Sequence, residues 1–412
     1  AEYAKVIAEN FTDRVKKIIT INEPLCIIGL GYAEGIHAPG LKLSQHEYLK
    51  CAHNLLVAHG KAARALKKYG AKDVQVGIAP NMDNFYPLDE NNITDINVAT
   101  DKMFEIEHQN PRAWINHVNW WLDPVIKGHY PLEGKGEYDS LLPTNYEKDI
   151  KDIAETVDFI CFNLYFGAPI TTDKNGTAVM AELDAAKTQV GWPVTPDAIK
   201  WTAKLLYERY NVPIYVSENG MACHDTVSLD GKVHDPNRVD YLNRYLLKLG
   251  EAIDEGADVR GYFVWSFMDN FEWADGYKQR FGIVYVDFAS QRRIVKDSAF
   301  WYQKIIETNG RMLTMNQTTK EILFLDPVCT HNIWGGTRLR TEFGYSVEGD
   351  DIGECWGISA HPNGDGSIRN GVYAGMKLSK VWEEHPEVFG NLVYDRFPPL
   401  TKIIDAKADL SI

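Results

Sequence analysis

"KIITINEP", residues 17–24, is a short β-rich run that ends in a carboxylate, Glu23, held between Asn22 and Pro24. "VPIYVSENG", residues 212–220, has the same construction: an apolar strand, then Glu218, then Asn219-Gly220 as a turn. Either motif alone is unremarkable. Together they put two glutamates at one structural address, the C-terminal end of a strand. In a βα barrel every strand opens on the same face, so side chains far apart in sequence converge there.

The residues around them carry the alternation that such a fold needs. Residues 1–11 place Tyr3, Val6, Ile7 and Phe11 on one helical face. Ser44-x-x-Glu47 is a capping box opening a helix, which Lys67-Lys68-Tyr69-Gly70 closes with cations on the C-terminal dipole and glycine past the end. "VQVGIAP" (74–80) and "VDFICFN" (157–163) are strands, with helical stretches in parts of 92–127 between them. Thr195-Pro196 and Asp235-Pro236 each start a helix with proline at its first position, one reaching Tyr210 and the other Glu255. "VRGYFVW" (259–265) is a further strand, and a helix covers Ser298–Glu307. Five apolar strands, each followed by a helix, imply an α/β fold with a parallel sheet inside and helices outside. The rhythm changes after Gly310. Residues 311–320, opening "RMLTMNQTT", read as a linker, and 321–412 as a β-rich segment with one helix around 377–388.

Composition excludes several functions. Of 412 residues, 43 are basic and 57 acidic, a formal charge of −14 with no basic block, so a phosphate backbone would be repelled and nucleic acid is not an expected partner. No apolar run is long enough to span a bilayer, so no membrane segment is expected. Cys26, Cys51, Cys161, Cys223, Cys329 and Cys355 form neither C-x-x-C pairs nor a Cys/His cluster; they read as buried thiols in a reducing, cytoplasmic compartment, and no metal site is expected of them. The 11 tryptophans exceed what a core requires, or else enlarge it; flat rings also serve as stacking surfaces for ligands.

Two carboxyl groups about 5 Å apart are what a retaining glycosidase needs, one as nucleophile and the other, kept protonated by its neighbour's charge, as acid and then base. The loop "WSFMDNFEWADGY" (265–277) adds Trp265, Glu272 and Trp273, rings for pyranose faces and a carboxylate for vicinal hydroxyls. Thr20-Ile21-Asn22-Glu23-Pro24, Tyr215-Val216-Ser217-Glu218-Asn219-Gly220, "GYFVWSFMDNFEWADGYKQRFGIVYVDF" (261–288) and "RIVKDSAFWY" (293–302) resemble glycoside hydrolase family 1, the β-glucosidases, over residues 1–310. The resemblance implies a (β/α)8 barrel, Glu23 as acid/base and Glu218 as nucleophile. It further implies that Asn22 binds the sugar 2-hydroxyl, Tyr165 touches the nucleophile, Trp265 stacks under the ring, Glu272 holds the 4- and 6-hydroxyls and Trp273 the 3-hydroxyl. Phe281 and Asn163 would line the same subsite. No cofactor is implied. Glu272 would repel a 6-phosphate, which favours a non-phosphorylated β-glucoside or cello-oligosaccharide. Leu164 and Leu25 depart from the family's usual aromatic residues and put aglycone contacts in question.

A barrel of eight strands exceeds the five read here, and at about 30 residues per βα unit roughly 90 residues are wanting. The resemblance places the gap at strands one to three, with the family's arginine that braces the nucleophile among them. An open edge would favour self-association. Residues 321–375, with Trp334-Gly335-Gly336 and "GECWGIS" (353–359), and "PPLTKIIDAKADLSI" (398–412) resemble the start of a type I phosphomannose isomerase, a zinc cupin. That family's Gln-x-His metal motif would follow Ile412, so Cys355 and His361 are given structural roles and no isomerase activity is expected. The expectation is a retaining β-glucosidase within a fusion. The alternatives are a catalytically inactive sugar-binding remnant, or a barrel completed by the isomerase segment or by a second subunit.

Overall fold

The computed structural model describes residues 1–313, apart from 107–110, 135, 137 and 156. The expectations for 321–412, its helix and its cysteines lie outside the described residues. Residues 1–183 and 187–313 form one compact unit. It opens with α1 (Glu2–Phe11), β1 (Lys17–Asn22), a π-helical turn (Cys26–Ala33), α2 (Gln45–Tyr69), β2 (Gln75–Ala79), β3 (Phe85–Pro87) and α3 (Ile93–Phe104). There follow α4 (Val118–Leu122), α5 (Tyr146–Ile153), β4 (Phe159–Asn163), β5 (Ala168–Thr172), β6 (Ala178–Met180) and α6 (Asp197–Tyr210). The series ends with β7 (Ile214–Asn219), α7 (Pro236–Asp254), β8 (Val259–Val264), β9 (Val284–Val286), β10 (Arg293–Val295) and α8 (Asp297–Glu307).

The five strands expected from the sequence form one sheet in the order β1-β2-β4-β7-β8, with every neighbouring pair parallel. β4, at the centre, is buried at all five positions, as a strand covered on both faces must be. β1 and β8 are the sheet's edges among the described residues, and each leaves apolar side chains in solvent. The main apolar cluster joins the sheet to its helices through Leu49, Leu56, Ile78, Phe162, Leu205 and Leu242. Trp114, Trp120 and Trp121 are fully buried within it, so these three of the eleven tryptophans serve packing.

Several local expectations are corrected. The Tyr3, Val6 and Phe11 face of α1 is exposed; the helix docks on α2 through Ala4 and Ala8 against Ala63, Ala65 and Leu66, because small side chains let two helices approach closely. The α2 capping box is present, Glu47 accepting from the Ser44 N–H at 2.9 Å and its hydroxyl at 2.7 Å. Gly70 ends α2 for want of space, since a Cβ would fall 2.5 Å from the Leu66 carbonyl oxygen. Pro196 caps α6 from outside its first turn, whereas Pro236 is the first residue of α7 as expected. The 92–127 stretch divides into α3, a 3-10 turn, α4 and a π-helical turn. The sheet β3-β5-β6 and the β9–β10 hairpin come in addition to the five expected strands; β3, β6, β9 and β10 have three residues each, too few to show alternation. Of the four described cysteines, all free, Cys161 and Cys223 are buried, but Cys26 and Cys51 are only half-buried.

Candidate active site

Glu23 stands one residue past β1 with a φ of 48°. Proline at 24 disfavours the right-handed helical region for the residue before it, and a left-handed φ on a non-glycine residue costs about 1–3 kcal/mol. The conformation is held by the Glu23 N–H, which donates to the Ala79 carbonyl at 2.8 Å. Strand register shifts fall between Ile19 and Asn22, between Phe162 and Asn163, and between Val216 and Asn219. These are the strand ends that carry Glu23, Asn163 and Glu218, and an irregularity there re-aims the side chains. Gly220 must be glycine, because a Cβ would lie 1.9 Å from the Trp265 carbonyl oxygen.

The side chains close on one another. Tyr165 donates its hydroxyl to Glu218 Oε2 at 2.7 Å, and Asn22 Nδ2 donates to Glu218 Oε1 at 3.3 Å. Asn163 Nδ2 donates to Glu23 Oε1 at 2.9 Å and to Asn22 Oδ1 at 3.0 Å. Thus β1, β4 and β7 meet around two carboxylates. Behind them the buried Asn219 amide donates to the Leu164 carbonyl at 2.8 Å and accepts from the Tyr262 hydroxyl at 2.6 Å. Tyr241 and Tyr245 both donate to the Tyr165 carbonyl, fixing the backbone that carries the Tyr165 ring.

Burial, with the Glu23 charge second, pushes Glu218 up from 4.5 to about 7, against the hydrogen bonds from Tyr165 and Asn22. This differs from the expectation that the nucleophile candidate is the readily ionised member of the pair. Burial first, then the charge of Glu218, holds the Tyr165 phenol protonated far into the alkaline range. Burial likewise raises Glu272, opposed by a hydrogen bond from Trp265, and raises the Cys26 thiol, with the Glu23 charge adding to it.

The loop after β8 is anchored from below. Asp269, between Trp265 and Glu272 in sequence, accepts from Lys296 at 2.9 Å, Arg280 at 2.6 Å and the Gly282 N–H at 3.0 Å. Lys296 also reaches Asp225 at 2.6 Å, and Arg238 pairs with Asp225 and Asp235. Three carboxylates and three cations thereby tie the segments after β7 and β8 to the start of α8, with matched charge.

Of the residues expected at the site, Asn22, Glu23, Asn163, Tyr165 and Glu218 are linked directly. Trp265 and Glu272 are linked to each other, and Phe281 lies edge-on to Tyr165 at 5.9 Å. Trp273 is different: it is 66% exposed, with a φ of 41°, and stacks on His37 at 6.0 Å. Leu164 is fully buried in the core and Leu25 packs against it, so both departures from the aromatic pattern serve packing. Sequence reasoning missed Trp192, 5.2 Å from Tyr165 and 6.0 Å from Phe281, because no motif surrounds it. It also missed Ser217 and His37. Among the described residues no group of three His, Cys, Asp or Glu side chains is placed to hold a metal, and no helix is long and apolar enough to cross a membrane.

Residues 1–311 match the family Glycosyl hydrolase family 1, and residues 322–412 match Phosphomannose isomerase type I, catalytic domain. Beta-glucosidase A of Thermotoga maritima is 42% identical over 316 residues, covering 75% of this chain and 67% of that protein. The 1,4-beta-D-glucan glucohydrolase of Thermotoga neapolitana is also 42% identical, covering 75% and 68%. The structure of beta-glucosidase from Thermotoga maritima in complex with glucoimidazole superposes with a TM-score of 0.65 at 41% identity, covering 75% of this chain and 68% of that one. With paired strand-end glutamates, a parallel sheet and this extent of similarity, the chain belongs to glycosyl hydrolase family 1, with a phosphomannose isomerase type I segment fused behind it.

Proposed function

We propose that the chain is a retaining β-glucosidase that removes terminal, non-phosphorylated β-glucosyl groups from small glucosides or cello-oligosaccharides. The observation that carries this is the chain of hydrogen bonds joining Glu23, Asn163, Asn22 and Glu218 across three strand ends. Relatives named as β-glucosidases support the substrate class.

In the first step Glu218 attacks the anomeric carbon while Glu23 gives its proton to the glycosidic oxygen, so the bond to the aglycone breaks and an alcohol leaves. The sugar remains as an ester on Glu218. Glu23, now a carboxylate, takes a proton from water, whose oxygen attacks the anomeric carbon and frees Glu218. Asn22 would bind the 2-hydroxyl, Trp265 the ring face, Glu272 the 4- and 6-hydroxyls and Trp273 the 3-hydroxyl, with Phe281 packed beside Tyr165. The domain division we assign is 1–310, a linker at 311–320, and 321–412, the first part carrying strands four to eight of an eight-strand plan.

The inactive, sugar-binding alternative would leave Glu218, which burial pushes up to about 7, without a turnover role. Hydrolysis of a chromogenic β-glucoside by the intact chain, beside Glu218→Ala, separates the two. Turnover that vanishes in Glu218→Ala is expected. Equal background rates in both, with sugar still quenching tryptophan fluorescence, would establish the alternative.

A further inference from the structure

We infer that Ser217 is a positioning residue for Glu23, acting through the Asn163 amide. Ser217 precedes Glu218 on β7, yet its hydroxyl reaches across to β4 and donates to Asn163 Oδ1 at 2.6 Å. Its other acceptor, the Phe162 carbonyl, is farther away at 3.2 Å. An asparagine amide presents an oxygen on one side and a nitrogen on the other, and the two orientations are nearly equal in shape. The acceptors on β1 select one orientation, and the Ser217 hydroxyl, donating to Oδ1, ties the amide down in it. In that orientation Nδ2 faces β1, where it donates to Glu23 Oε1 and Asn22 Oδ1.

The opposite orientation would set the amide oxygen against the Asn22 oxygen, two acceptors with no proton between them, and would withdraw the N–H that Glu23 accepts. Asn163 is buried, so water cannot repair the mismatch. The short bond from Ser217 therefore helps hold Asn163 in the position from which its Nδ2 meets Glu23. Because Asn22 in turn donates to Glu218, the chain of bonds runs from β7 through β4 and β1 and back to β7. The consequence for catalysis rests on the glucosidase role proposed above: a Glu23 that is no longer held loses its aim at the leaving-group oxygen.

The test compares phenyl β-glucoside, whose departure needs the acid, with 2,4-dinitrophenyl β-glucoside, whose departure does not. For Ser217→Ala, kcat/KM should fall roughly tenfold or more on the phenyl substrate and under about threefold on the dinitrophenyl one, with Ser217→Thr restoring both. Equal losses on the two substrates, or none, would overturn the inference. The second measurement does not need turnover: the Asn163 side-chain NH2 protons, followed by 15N NMR, should exchange faster in Ser217→Ala and return to the parent rate in Ser217→Thr. Unchanged exchange refutes the relay. If the parent chain hydrolyses neither glucoside, the glucosidase proposal fails and the amide measurement alone decides the role of Ser217.

Discussion

Glu218 is where folding and chemistry pull apart most clearly. Its carboxyl is raised from 4.5 to about 7, so between these values the folded chain holds a proton that the unfolded chain has released. Stability contributed at this position therefore falls as pH rises through that window, and the full cost, ~3 kcal/mol, is present only above about 7. Glu218→Gln is expected to unfold at higher urea than the parent at pH 8 and at the same urea at pH 4. A variant less stable than the parent at pH 8 would show that Glu218 is not a destabilised acid. The candidate pair was legible in the sequence because "INEP" and "SENG" each end an apolar strand with a glutamate. The strain at Glu23 was not, since its left-handed φ is held by the bond from its N–H to Ala79 on β2, remote in sequence.

Among elements, the anchoring of the β8 loop depends on buried charge. Lys296 is completely buried and bonds both Asp225 and Asp269. Lys296→Met removes one cation from a balanced set of six charges and leaves two carboxylates short of a donor. Breaking a buried pair in this way costs about 3–5 kcal/mol, and urea denaturation should register it. Arg244→Ala, which breaks the exposed pair with Asp240, should leave the midpoint unchanged. Equal effects of the two variants would refute the distinction. The strands and long helices were legible because their apolar periods and caps are local. The outward-facing stripe of α1 misled, because period alone cannot say which face a partner will cover; Ala4 and Ala8 are covered because they let α2 come close.

For the whole molecule, the open edges are the dominant physical fact of the described residues. Ile19 on β1 and Phe263 on β8 are 38% and 59% exposed, and Phe267 just beyond β8 is 67% exposed. Unpaired strand edges with apolar side chains favour association. Sedimentation velocity of the full chain is expected to show concentration-dependent association that weakens in Phe263→Lys. A sharp monomer at all concentrations would contradict it. The parallel α/β sheet, the family and the two candidate carboxylates are legible in the amino-acid sequence, since each is written in local patterns of a few residues. Packing in three dimensions sets which face of α1 is buried, brings Trp192 and Ser217 to the candidate site, and raises the Glu218 carboxyl to about 7. Those outcomes depend on distances between residues remote in the chain, and burial and Coulomb energies exist only once the strands have been brought together.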